Sequence, residues 1–193
     1  MNLNFSSERL EFRPLGPEDL DISTVLLTDP EIMKYVGEVM TPNDVSEDLH
    51  IAMRRCAGGC IGIWCLTVRA TAEKIGTVIL LPMPVEEDDT DWNLVQGDEI
   101  PDAQIEVGYL LRRSAWGQGY ATEACRRMLQ FAFDETPLEE VVATTHDDNL
   151  ASQRVLIKSG MISEGLRPAY AGCYPFFRLT RRQWLEKSSG RNA

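Results

Sequence analysis

The chain is 193 residues long and 44% hydrophobic, and it carries 19 Lys and Arg against 30 Asp and Glu, a formal net charge of −11. That length suits a single domain, spanning 1–193, with a sizeable core. The acid excess excludes a phosphate-tracking nucleic-acid face, which needs clustered Lys and Arg, and disfavours an anionic membrane surface.

No stretch approaches the ~20 apolar residues that cross a bilayer. The opening residues, MNLNFSSERLEF, offer neither a basic nor an apolar signal region, so a cytoplasmic location is expected. Five cysteines (Cys56, Cys60, Cys65, Cys125 and Cys173) are an odd number, which fits reduced thiols better than a disulfide framework. Cys56 and Cys60 lack the second Cys or His pair of a structural zinc site, and His50 and His146 are far apart, so no metal is expected.

In chain order, residues 10–15 (LEFRPL) alternate as a short strand, and Gly16-Pro17-Glu18-Asp19 signals a helix start. Residues 18–36 read as helical with a break at Asp29-Pro30, because proline removes a donor and disfavours helix in the residue before it. A second helix is expected over 43–55, ending at Gly58-Gly59. Residues 61–69 and 74–82 are rich in β-branched and aromatic side chains and read as a hairpin. Residues 85–104 then contribute eight acids and no bases, leaving the rest of the chain at only −3. Such a run reads as a solvated insertion between the third and fourth strands, serving solubility or a partner contact.

Residues 105–111 form the next strand, and 121–133 carry apolar residues at 121, 124, 125, 128, 129 and 132, one face of a helix. A strand over 140–145, a short helix over 150–159 closed by Gly160, two more strands and a terminal turn within 161–184 complete the chain. The class is α+β, layered α/β/α. The strand–helix–strand unit in the second half makes two strands parallel in an otherwise mostly antiparallel, mixed sheet.

The segment most informative about chemistry is Trp116-Gly117-Gln118-Gly119-Tyr120-Ala121-Thr122, between a strand and an amphipathic helix. Glycines let backbone N–H groups converge on a ligand, and a helix N-terminus adds partial positive charge, so the segment reads as a phosphate cradle. The alternative is a tight turn with no ligand. Gly117-x-Gly119 also echoes a dinucleotide fingerprint, which keeps an NAD(P)-dependent oxidoreductase as a rival, although the third small position is Thr122.

Residues 116–124, WGQGYATEA, resemble the acetyl-CoA pyrophosphate loop of the GNAT-fold N-acetyltransferases, in the form common to the branch containing ribosomal-protein-alanine N-acetyltransferases. TDPEIMKY (28–35), EVGY (106–109), NLAS (149–152), KSGMISEG (158–165) and LTRRQW (179–184) match that branch in order and spacing. The resemblance implies a sheet that splays like a V between its two parallel central strands, and transfer of acetyl from acetyl-CoA to a primary amine.

In that reading the backbones of Tyr109, Leu110 and Leu111 meet the pantetheine and polarise the thioester, and residues 116–122 hold the pyrophosphate. Asn149 and Ser152 also contact the cofactor, with helix capping as the plain alternative for Asn149. Glu106 is the candidate base, on the strand face of Gly108 and Leu110; the alternative is a surface carboxylate paired with arginine. Ser152 or Tyr174 is the candidate proton donor to the thiolate, because Leu156 stands where many members carry tyrosine. His146 reads as a loop histidine. The acceptor is expected to be a small-molecule amine or a protein N-terminus, on a monomer or homodimer. A module of the same fold that binds acyl-CoA or a protein without catalysis is the other alternative.

Overall fold

The computed structural model describes residues 2–189. Eight strands form one mixed sheet in the order β1-β2-β3-β4-β5-β6-β8-β7. They are β1 (Phe5–Ser6), β2 (Leu10–Pro14), β3 (Gly62–Val68), β4 (Glu73–Pro82), β5 (Ile105–Leu111), β6 (Glu140–Thr144), β7 (Ile162–Ala169) and β8 (Gly172–Thr180). Only β5 and β6 pair in parallel. The antiparallel strands form two blocks, β1 to β5 on one side and β6, β8 and β7 on the other.

One face is covered by α4 (Tyr120–Glu135), whose inward stripe Ala124, Cys125, Met128, Leu129, Phe131, Ala132 and Phe133 is buried. Phe131 stacks on Phe5 at 4.7 Å between ring centroids and meets Trp64 edge-on at 5.4 Å. Each such side chain contributes about 1.5–3 kcal/mol of burial. Cys56, Cys60 and Cys125 are small members of this core.

The other face carries α1 (Leu20–Leu27), α2 (Pro30–Met33) and α3 (Pro42–Ala52). Asp29 caps α2 by accepting from Glu31 N–H at 2.9 Å, with Pro30 at the first helical position. The break expected at Asp29-Pro30 is thus a cap and a restart. Asp19, fully buried, fixes the start of α1: it accepts from Arg13 at 2.6 and 2.5 Å and from Gly16 N–H at 2.9 Å.

Three expectations need correction. The two-residue β1 is too short to give a periodic signal, yet it adds an edge strand. Residues Arg181–Ser189 form a helix, α6, rather than a terminal turn. It is held by Arg181 donating to the carbonyls of Thr136 and Leu138 at 2.6 and 2.7 Å, and by Trp184 packing on Phe133. The acidic insertion does lie at the end of the sheet away from residues 116–122, but it is more than solvated chain. Val95 is buried, and Trp92 and Ile100 pack against the main core.

Candidate active site

Side chains on β5 alternate, so Val107 and Leu111 enter the core under α4, whereas Glu106, Gly108 and Leu110 face α1. The β5–β6 ladder has a single register pair, Glu106 with Val142. Beyond it the two strands diverge, and a cleft of about 630 Å³ opens from that gap. Its walls include β5, the end of β6, the α1–α2 segment and the β7–β8 turn. The cleft has Glu106, Tyr109, Leu110, Asn149, Ser152, Leu156 and Tyr174 among its lining residues. The candidate catalytic residues Glu106, Ser152 and Tyr174 therefore meet in one place with Tyr109, Leu110 and Asn149, whereas Leu111 and residues 116–122 lie outside it.

Glu106 sits where the ladder ends, with only 4% of its surface exposed. Burial pushes its pKa up to about 7, against the opposing pull of a hydrogen bond donated by Tyr170 Oη to Oε1. Among the described residues no arginine pairs with it. Tyr170 is a site residue that sequence reasoning missed, since the two are 64 positions apart.

Across the gap, α5 (Leu150–Ser159) begins at Asn149, which accepts from Ser152 N–H at 3.1 Å, so the capping alternative is real. Ser152 Oγ and Tyr109 Oη share a hydrogen bond of 2.9 Å. Tyr109 was expected to act through its backbone; its phenol, raised in pKa by burial, stays neutral beside Ser152. Leu156 is buried in the core. Tyr174 is partly buried at the cleft mouth, 6.5 Å from the His146 ring, which in turn lies 5.3 Å from Tyr35. His146, read as a plain loop residue, thus belongs to the aromatic rim.

The glycine-rich loop lies outside this cleft, at the far end of β5. Gly119 is the N-cap of α4 with φ of 82°, and Gly117 has φ of 73°, both in the left-handed region. No side chain caps α4. The N–H groups of Tyr120, Ala121 and Thr122 accordingly open on the loop without intrahelical acceptors. The loop is fastened from both sides. Trp116 Nε1 donates to the Leu111 carbonyl at 2.7 Å, and Arg9 donates to the Gln118 carbonyl at 3.0 Å while stacking over Tyr120. Glu123 anchors Arg9 at 2.7 Å and also accepts from Ser7. A Cβ on Gly117 would meet nothing within 4 Å, so the loop is unobstructed at that position. An uncapped helix end, two left-handed glycines and the β5–β6 gap fit a diphosphate followed by an extended arm.

The insertion forms the remaining wall. Asp88, Asp89, Thr90 and Trp92 line the cleft beside Tyr170, opposite Lys34 and Tyr35. The β7–β8 turn is a tight one in which Tyr170 and Ala171 have φ of 49° and 50°. For residues bearing a Cβ, that conformation costs roughly 1–2 kcal/mol each. The tip is tied to the root of the insertion by Tyr170 N–H to Pro84 O and Ala171 N–H to Val85 O, both 3.1 Å.

The acetyltransferase (GNAT) domain model matches residues 9–162, and the chain belongs to that family. Among similar proteins is the FsC-acetyl coenzyme A-N(2)-transacetylase of Aspergillus fumigatus, 32% identical over 155 residues. The match covers 79% of this chain and 62% of that protein, so the chain spans less than two thirds of that relative's length. An uncharacterized N-acetyltransferase, p20, of Bacillus licheniformis is 27% identical over 168 residues, 85% of each chain. The solved aminoglycoside acetyltransferase AAC(6')-Ib in complex with coenzyme A superposes with a TM-score of 0.70 at 19% identity, over 92% of this chain and 98% of that one, which shows the fold. With the family established, the dinucleotide reading of Gly117-x-Gly119 falls away.

Proposed function

We propose that the chain transfers an acetyl group from acetyl-CoA to a primary amine of cationic character, with Glu106 as the base. The observation that carries this reading is a buried carboxylate, titrating near 7, at the end of the single-rung β5–β6 ladder. A base matched to neutral pH takes a proton efficiently from an amine that enters the cleft. The uncapped end of α4, with Gly117 and Gly119, holds the diphosphate, and the edges of β5 and β6 hold the arm.

Glu106 first takes a proton from the ammonium, which frees the nitrogen lone pair, and the neutral amine then bonds to the acetyl carbonyl carbon. The backbone of β5 at residues 109–111 stabilises the oxyanion that develops. The C–S bond then breaks, and the second nitrogen proton passes to the departing thiolate by way of the Ser152 hydroxyl, backed by Tyr109. That hydroxyl gives its own proton and takes the nitrogen's in exchange, with Tyr174 as the second candidate. Asp88 and Asp89 favour an acceptor that arrives as a cation. AAC(6')-Ib is described in complexes with paromomycin and ribostamycin, and a small cationic amine on this chain is the corresponding proposal. A protein N-terminus remains the second acceptor class, because the cleft is open at its aromatic rim.

The test is thiol release from acetyl-CoA over a panel of polyamines, amino sugars and N-terminal peptides. Turnover is expected with at least one cationic amine, and Glu106→Gln should lower kcat/KM about 100-fold or more at pH 7. Acetyl-CoA binding without turnover on any amine would favour the non-catalytic module.

A further inference from the structure

Glu106 has two oxygens, and they are treated differently. Oε1 receives the Tyr170 hydroxyl, whereas Oε2 has no hydrogen-bond partner among the described residues. The hydroxyl comes from the tip of a hairpin, held by two left-handed residues, neither of them glycine, and by two backbone hydrogen bonds to Pro84 and Val85. A strained turn that persists because its surroundings over-determine it points to a selected geometry. Ala169, just before the tip, is fully buried with Met83, Val142 and Phe176, so the hairpin cannot swing without opening that cluster.

We propose that Tyr170 is a positioning residue: it fixes Glu106 through Oε1 so that Oε2 faces the acceptor amine, and the root of the acidic insertion sets its place. The proposal rests on the reading of Glu106 as base. The turn would otherwise be free to adopt the glycine- or asparagine-containing form that two-residue hairpins favour. The insertion thereby acquires a role in building the site, beyond solubility. The other titratable or charged groups that line the cleft with Glu106 are Tyr109 on β5, Asp88 and Asp89 from the insertion, Lys34 and Tyr35 after α2, His146 after β6 and Tyr174 on β8. None of them shares a hydrogen bond with its carboxyl.

The test is the pH profile of kcat/KM for Tyr170→Phe, which keeps the ring and removes only the hydroxyl. The hydrogen bond favours the carboxylate, so its loss should move the acid limb upward by about one unit. That is a loss of about tenfold below the midpoint from the shifted limb, with a smaller loss in kcat persisting at pH 9 from the unfixed carboxylate and KM for acetyl-CoA unaltered. In a Glu106→Gln background the same substitution should change nothing further. A Tyr170→Phe profile superimposable on the wild type, or lowered equally at all pH values, would overturn the proposal. If Glu106→Gln proves fully active, the base reading fails. The positioning claim is then judged by 13C NMR titration of the Glu106 carboxyl, where an unchanged midpoint in Tyr170→Phe overturns it and a raised one supports it.

Discussion

Glu106 is a carboxyl that water barely reaches, and the cost of ionising it appears in both rate and stability. In its proposed role as base it works only when ionised, so kcat/KM should fall as pH drops below about 7, the value to which burial pushes it. Stability should run the other way. Below ~4.5 the group is protonated folded and unfolded; between there and 7 only the unfolded chain ionises, so folding stability declines with rising pH and levels off above 7. The full penalty is at most ~3 kcal/mol. Urea unfolding of Glu106→Gln should lack that slope and be ~2–3 kcal/mol more stable at pH 8. Asp19 has the opposite sign. Burial alone would raise its pKa, but the Arg13 fork, Gly16 N–H and Lys74 outweigh it and hold the carboxyl below its usual range. Its contribution is present above the unfolded value near 3.8 and is lost as pH falls further. Taken together, these two carboxyls favour folding most near pH 4–5, well below the pH at which Glu106 is ionised.

At the scale of elements, the loop and helix from Trp116 to Glu135 show how far local pattern reaches. The glycines, the amphipathic stripe and the Asn149 cap are encoded within a few residues of where they act, and each is legible in the sequence. Gly119→Ala places a Cβ in the left-handed region at the N-cap, with Arg9 Nη2 at 3.5 Å. It should destabilise the protein by ~1 kcal/mol and raise KM for acetyl-CoA several-fold while leaving kcat nearly unchanged, as steady-state kinetics would show. Long-range partners are a different matter. Nothing around Tyr170 announces Glu106, because the register of two distant strands brings them together. α6 was invisible for a similar reason: RRQWLEKSS has little apolar face of its own, and its helix is fixed by Arg181 reaching carbonyls around 136–138. At the β7–β8 turn, Ala171→Gly should relieve the left-handed strain and stabilise by ~0.5–1 kcal/mol, raising Tm by ~2–3 °C in calorimetry.

Across the whole molecule, negative charge is concentrated in one segment. Most of the acid excess lies in residues 85–104, and two of those carboxylates, Asp88 and Asp89, reach the cleft. Composition gave the charge but not the direction in which it pointed, since a solvated run and a cleft wall read alike in sequence. Replacing both with Asn should raise KM for a dicationic acceptor about 3–10-fold at low ionic strength, with the difference shrinking near 1 M salt and KM for acetyl-CoA unchanged. The single β5–β6 register pair has a consequence for dynamics. Two antiparallel blocks meet through one rung, and the β5 amides that point toward β6 beyond Glu106 have no strand to bond. Those amides should exchange with deuterium quickly in the free protein and become protected when an extended pantetheine arm lies beside them, so that the co-substrate completes the ladder and stiffens the seam.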